Sequence, residues 1–164
     1  MEQLEFADFY VASRDVCLRA VLASVVDRSL AEDLVAEAFT RALVSWPKVS
    51  RHPAPRAWIV RTALNTRVSW WRKRRKDVPL EAGAYVTAVA GPGNDLDPSL
   101  LRVLRQLPRR QREVIGLRVF LDLDTRATAE LLGISEGTVK AHLSRGVATL
   151  RVHLISQQHS EVLP

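Results

Sequence analysis

Residues 124–151 read DTRATAELLGISEGTVKAHLSRGVATLR, and their pattern decides the fold. Asp124 can cap a first helix that carries Ala129, Leu131 and Leu132. Gly133 follows the last apolar position, where a left-handed residue ends a helix cheaply. Ile134 can tuck back between the helices. Ser135 starts a second helix, its hydroxyl able to accept from the amide of Gly137 or Thr138. Val139, Leu143, Val147 and Leu150 recur at helical spacing and form one apolar stripe. Lys140, Ala141, Ser144 and Arg145 fall off that stripe, facing solvent or a ligand. Two helices meeting through Gly-Ile-Ser in this way predict a helix-turn-helix, whose second helix enters the major groove of DNA. The bland alternative is a helical hairpin with a solvated basic face.

Charge is divided unevenly on either side of residue 50. The chain has 164 residues and a formal net charge of +6; residues 1–50 carry −3 and residues 51–164 carry +9. An acidic front and a basic remainder imply two kinds of partner, one of them polyanionic. The single cysteine, Cys17, excludes an internal disulfide and a Cys-rich zinc site. The N-terminus lacks a signal-peptide pattern, and no apolar run reaches the roughly 20 residues that span a bilayer. A cytoplasmic protein without a membrane partner is expected. The four histidines lack ligand spacing, and neither a Gly-rich phosphate loop nor a Ser/His/Asp or Cys/His set appears. The chain is therefore expected to be no enzyme, with no catalytic residue, metal or cofactor.

The remaining segments predict an all-α chain. A helix over 4–26 could break near Ser13. Ser29-Leu30-Ala31-Glu32 has capping-box spacing and opens a helix to about Trp46, where Pro47 stops it. Asp33 and Glu37 lie four apart on its outer face. An acid/base or metal role for them lacks a nearby His and an enclosed pocket, so a solvated or docking face is favoured. Pro55 begins a helix to about Leu64, Asn65-Thr66 mark a break, and a further helix runs over 67–76. That last helix gathers Arg67, Arg72, Lys73, Arg74, Arg75 and Lys76 around Trp70 and Trp71. A basic run is usually a solvated cluster. Interleaved tryptophan instead suggests a groove for single-stranded nucleic acid, where each stacked base gains about 1–3 kcal/mol. Residues 77–97 lose all lysine and arginine and contain Gly91-Pro92-Gly93-Asn94, which predicts a flexible linker. Asp97-Pro98 caps a helix ending near Leu107. Pro108 opens another to about Leu121, with Arg109, Arg110 and Arg112 exposed for phosphates. Beyond Arg151 the tail should fray.

This order of parts resembles the extracytoplasmic-function sigma factors of bacterial RNA polymerase. AEDLVAEAFTRAL resembles the region-2 helix that docks on the polymerase clamp, and PRAWIVRTALNTRVSWWRKRRK the part that melts and reads the −10 element. LRQLPRRQREVIGLRVFLDLD resembles the entry to the second domain, and LLGISEGTVKAHLSR its −35-reading helix-turn-helix. The resemblance implies two small helical domains joined by a flexible linker, the second holding the helix-turn-helix. Residues 1–76 would be region 2, 77–97 the linker, 98–152 region 4 and 153–164 a tail. It assigns core-polymerase docking to Asp33, Leu34, Glu37 and Phe39. Asn65 and Thr66 would lie in a loop capturing a flipped non-template base, while Trp70, Arg72, Arg74 and Arg75 hold the opened strand. Lys140, Ala141, Ser144 and Arg145 would face −35 bases or backbone, and Arg112, Ser135, Glu136 and Thr138 would hold phosphates or set the helix angle. Trp58 would be core. The implied partners are core RNA polymerase, promoter DNA as duplex and as opened non-template strand, and an anti-sigma factor. Four features depart from the pattern: Ala36 replaces a usual glutamine, Thr128 an aliphatic residue, Gly146 lies within the recognition helix at a cost of about 1 kcal/mol relative to Ala, and Val147-Ala148-Thr149 replaces an Arg-rich end.

Rival readings stay open on sequence grounds. ISEGTVKAHLSR suits a helix-turn-helix regulator of the response-regulator output type almost as well. Such a regulator has no use for the WWRKRRK helix or the Asp33/Glu37 face. A protein-binding module using the basic surfaces for an acidic partner belongs to another class, and a nucleic-acid enzyme lacks its site residues.

Overall fold

The computed structural model describes residues 2–77 and 96–161, with side chains placed at 5–74 and 96–160. Every element among them is helical: α1 (Glu2–Val25), α2 (Arg28–Val44), a short α3 (Trp46–Val49), α4 (Pro55–Asp77), α5 (Pro98–Leu104), α6 (Arg109–Ile115), α7 (Thr125–Leu132) and α8 (Glu136–Glu161). A π-helical turn, Gly116–Phe120, continues α6. The expected linker lies outside the described residues apart from Asp77, Leu96 and Asp97.

In the first half, α1, α2 and α4 pack around Leu22, Leu34, Ile59 and Val60, all fully buried. Phe6 and Phe9 close on Trp46, with ring centroids 5.3 and 5.2 Å away. Helix α1 is unbroken at Ser13, contrary to the sequence expectation. Ser13 is buried, and its Oγ accepts from Arg56 Nε at 3.0 Å, so the hydroxyl is used between helices and not for a break. Cys17 packs fully buried one turn on, and burial pushes its thiol up to about 12 despite the nearby Arg56 charge.

Two boundaries in this half differ from the sequence reading. The N-cap of α2 is Asp27, whose Oδ1 accepts from Leu30 N at 3.0 Å. Ser29 is exposed inside the helix, and Glu32 pairs with Arg28 at 3.0 Å, so no Ser29–Glu32 capping box forms. An aspartate three residues before a free amide outcompetes the later serine. Asp27→Ala should therefore cost about 1 kcal/mol of stability in urea unfolding. Ser29→Ala should change it by less than about 0.5 kcal/mol; the reverse order would restore the capping box. The second difference is α4, one helix across Asn65 and Thr66. Thr66 is buried, and its Oγ1 donates to Thr62 O at 2.7 Å, which satisfies the hydroxyl within the helix.

The second half keeps its expected caps. Asp97 Oδ1 accepts from Ser99 N, and Asp124 Oδ1 from Ala127 N, both at 2.7 Å. Gly133 adopts φ +66, the left-handed conformation that ends α7. Ser135 Oγ accepts from Thr138 N at 3.0 Å and opens α8. Val114, Ala129 and Val139 are buried together, with Leu132, Ile134 and Leu143 against them. Thr128 fits that packing because its Oγ1 donates to Asp124 O at 2.8 Å. Helix α8 continues to Glu161, where fraying was expected after Arg151. Leu150 packs on the core, and His153 and Leu154 stay partly covered beyond it.

The packing of the halves on each other was not foreseen. Leu96, Leu104, Leu107, Ile115 and Leu117 are buried in the same core as Ala20, Val21 and Leu22 of α1.

Candidate nucleic-acid interface

Helix α8 presents one side of its first turns to solvent. Val139 is fully buried, which turns Lys140, Ser144 and Arg145 outward; all three are exposed, and Ala141 is half-covered between them. Ser135 and Glu136 lie exposed at its N-terminus, and Thr138 Oγ1 sits 2.7 Å from Ser135 Oγ. A small cap and a basic rim beside a helix N-terminus suit phosphate as well as base edges.

Arg112 does not belong to this face. Its Nε donates to Ser24 O at 3.0 Å and its Nη1 to Leu107 O at 2.7 Å, so it is a structural donor and not a phosphate contact. Arg109 and Arg110 also turn back: Glu113, only 2% exposed, accepts from Arg109 Nε at 2.7 Å and from Arg110 Nη1 at 2.8 Å. One buried carboxylate thus draws the expected phosphate-binding arginines onto their own helix.

Along α4 the two tryptophans separate. Trp70 is half-buried and packs on the core, whereas Trp71 is 52% exposed. Arg72, Lys73 and Arg74 are exposed beyond it; Arg75 lies where only the backbone is described. Because α4 is continuous, Asn65 is an exposed helix-face residue and not part of a loop, and buried Thr66 is not available to a base. Trp58 is half-covered and lies against the core.

Continuity also reveals a row that the sequence reading missed. Arg61, Asn65 and Val68 line one side of a cleft of about 220 Å³ whose far wall is Arg109, Arg110 and Leu131. The four-residue step from Arg61 to Asn65 was the available signal, and a presumed break concealed it. Arg67 stands near the same junction. Burial first, then the charges of Arg109 and Arg112, hold its guanidinium below its ordinary basicity.

On α2, Asp33 is exposed, and Glu37 is partly exposed and pairs with Arg41 at 3.0 Å. Leu34 and Phe39 are buried and cannot be contact residues of a docking face. They seat α2 so that its acids point outward. Between Tyr10, Ala36 and Phe39 lies a small hollow of about 90 Å³.

Residues 12–77 match Sigma-70 region 2, and residues 98–150 match Sigma-70, region 4. The RNA polymerase sigma-E factor of Streptomyces coelicolor is 34% identical over 158 residues, covering 95% of this chain and 89% of that protein. The ECF RNA polymerase sigma factor SigM of Bacillus subtilis is 27% identical, covering 81% of this chain and 85% of its own length. In fold, the chain is similar to the sigma factor RpoE of Bartonella quintana, solved in complex with the anti-sigma factor NepR. The TM-score is 0.76 at 23% identity, over 92% of this chain and 96% of that one. Helical architecture, two sigma regions in order and relatives along nearly the whole length define the class. The chain belongs to the extracytoplasmic-function sigma factors of bacterial RNA polymerase. The response-regulator reading is not favoured, since region 2 has no place in it.

Proposed function

We propose that the chain binds core RNA polymerase through α2 and reads two promoter elements through α4 and α8, with 1–76 and 98–152 as the two working units and 77–97 between them. Asp33 and Glu37 meet a basic polymerase surface. Trp71, Arg72 and Arg74, with Asn65 on the preceding turns and Arg75 beyond, hold the opened −10 strand. Lys140, Ala141, Ser144 and Arg145 read the −35 duplex, with Ser135, Glu136 and Thr138 at the backbone. The observation carrying this reading is the sorting of charge by face: exposed acids on α2, exposed bases and an exposed indole on α4, and an exposed basic face on α8. Trapping bases that have left the stack favours opening by the affinity for the open strand alone. Tethering lets two weak readers act together.

The chain adds no catalysis of its own in this reading and works in the cytoplasm. Among the described residues, no helix is long and apolar enough to cross a membrane. An anti-sigma factor is a further proposed partner. The test is reconstitution: protein plus core polymerase should yield run-off transcript from promoters selected out of a random pool. Absence of any association with core at moderate salt would overturn the reading.

A further inference from the structure

Glu113 turns Arg109 and Arg110 back from the outer surface, and in doing so fixes them on the wall of a cleft. The cleft holds about 220 Å³ between α4 and α6, and Arg61 lines it from the facing helix. Glu113 is 2% exposed and takes one N–H from each partner, Arg109 Nε at 2.7 Å and Arg110 Nη1 at 2.8 Å. A guanidinium carries five N–H donors, so most remain on each arginine. The carboxylate thus orients both forks without saturating them. Their side chains are 54% and 45% exposed, so a solute can reach them. Arg61 is exposed and has no hydrogen bond or ion pair among the described residues.

Charge on these walls is unbalanced. Three guanidiniums share one carboxylate. Arg67, close to Arg109 and Arg112, adds to the excess. Its Nη1 is buried without a hydrogen-bond partner, and burial, then those two charges, holds its guanidinium below its ordinary basicity. Leu64 and Leu131 complete the lining, so charges there are screened less than on open surface. The volume limits the size of a ligand. It falls below the roughly 300–1,000 Å³ of a drug-sized site, and suits a compact anion or the charged end of a larger one. Guanidinium forks match phosphate oxygens in pairs. A single phosphate would leave positive charge over, whereas two linked phosphates bring charge and oxygens enough for both walls.

We infer that this cleft is a binding site for a diphosphate group, held between Arg61 on α4 and Arg109 and Arg110 on α6. The group arrives either as free pyrophosphate or as the end of a nucleotide, and the recognised chemistry is the same. The site does not depend on the promoter reading, since it needs only the cleft and its charges.

The test is isothermal titration of the full chain in phosphate-free buffer, with inorganic pyrophosphate as the probe. One site per chain is expected. A ligand that binds only the folded form should also raise the melting temperature, increasingly with concentration, above that in sodium chloride of equal ionic strength. Arg61→Gln with Arg110→Gln should weaken pyrophosphate about tenfold or more, the usual worth of a charge-assisted hydrogen bond. Arg51→Gln with Arg151→Gln removes as much exposed charge away from the cleft and should leave the affinity unchanged. Should the cleft variant lose its helical circular dichroism, Arg61→Gln alone carries the test, because that side chain has no partner to lose. Guanosine diphosphate separates the sources: binding tighter than pyrophosphate assigns the site to a nucleotide, and equal or weaker binding assigns it to the free anion. No binding of pyrophosphate, an equal melting shift in chloride, an equal loss in the Arg51/Arg151 variant, or unchanged affinity in the cleft variant would each overturn the site.

Discussion

Replacing Glu113 with alanine is expected to lower stability by about 2–3 kcal/mol, read from urea unfolding. Stripping one partner from a fully enclosed ion pair typically costs about 3–5 kcal/mol. Here the side chains of Arg109 and Arg110 are 54% and 45% exposed, so water can take over their charges and their share is small. The rest comes from Arg67 and Arg112, themselves only partly buried, which burial disfavours as cations and which Glu113 supports; solvent screens that support too, so the sum stays below the enclosed-pair figure. Glu113→Gln keeps an acceptor and the volume, and should recover about half of the loss. An alanine variant as stable as wild type would show that the four guanidiniums tolerate one another without a counter-charge.

The second large effect divides two adjacent residues. Trp71→Ala should weaken single-stranded DNA binding by about 1–3 kcal/mol, the usual worth of a stacked base, while leaving the melting temperature nearly unchanged. Trp70→Ala should do the opposite. Its indole packs on the core but is not enclosed, so the loss should fall below the roughly 3–5 kcal/mol of a buried tryptophan. Fluorescence anisotropy with a −10 oligonucleotide and thermal melts on both variants give the comparison. Equal losses of affinity in both would mean that the helix is rotated from its described position.

Much of this was legible in the sequence because the signals were local. Asp97, Asp124, Gly133 and Ser135 act within a turn of themselves, and each does what its residue type predicts. Errors arose where two local signals competed or where the deciding partner was remote. Ser29 had the right spacing, but Asp27 stood two residues earlier. Asn65 and Thr66 are poor helix formers, yet the burial of Ala63, Leu64 and Thr66 against the core outweighs a propensity cost of a few tenths of a kcal/mol each. Arg112 looked like a phosphate ligand because its acceptor, Ser24 O, is 88 residues away. No periodicity encodes such a pairing. Leu34 and Phe39 were named for docking from their neighbourhood with Asp33, although their own apolar spacing already placed them inside. Gly146 read only as a weak helix residue; a Cβ there would come 2.7 Å from Ile115 Cδ1, so a larger residue would have to displace that methyl where α8 is seated on α6.

That seat turns α8 into a lever. Gly146 is its fulcrum, with Lys140 and Ser144 on the short arm and fifteen residues on the long one. At 1.5 Å per residue, the long arm reaches about 22 Å, so a tilt of about ten degrees sweeps Glu161 through about 4 Å. If that tip reads DNA as proposed, a small rocking there is magnified at the far end of the rod. Val152 and Ile155, bare on that arm, travel with it.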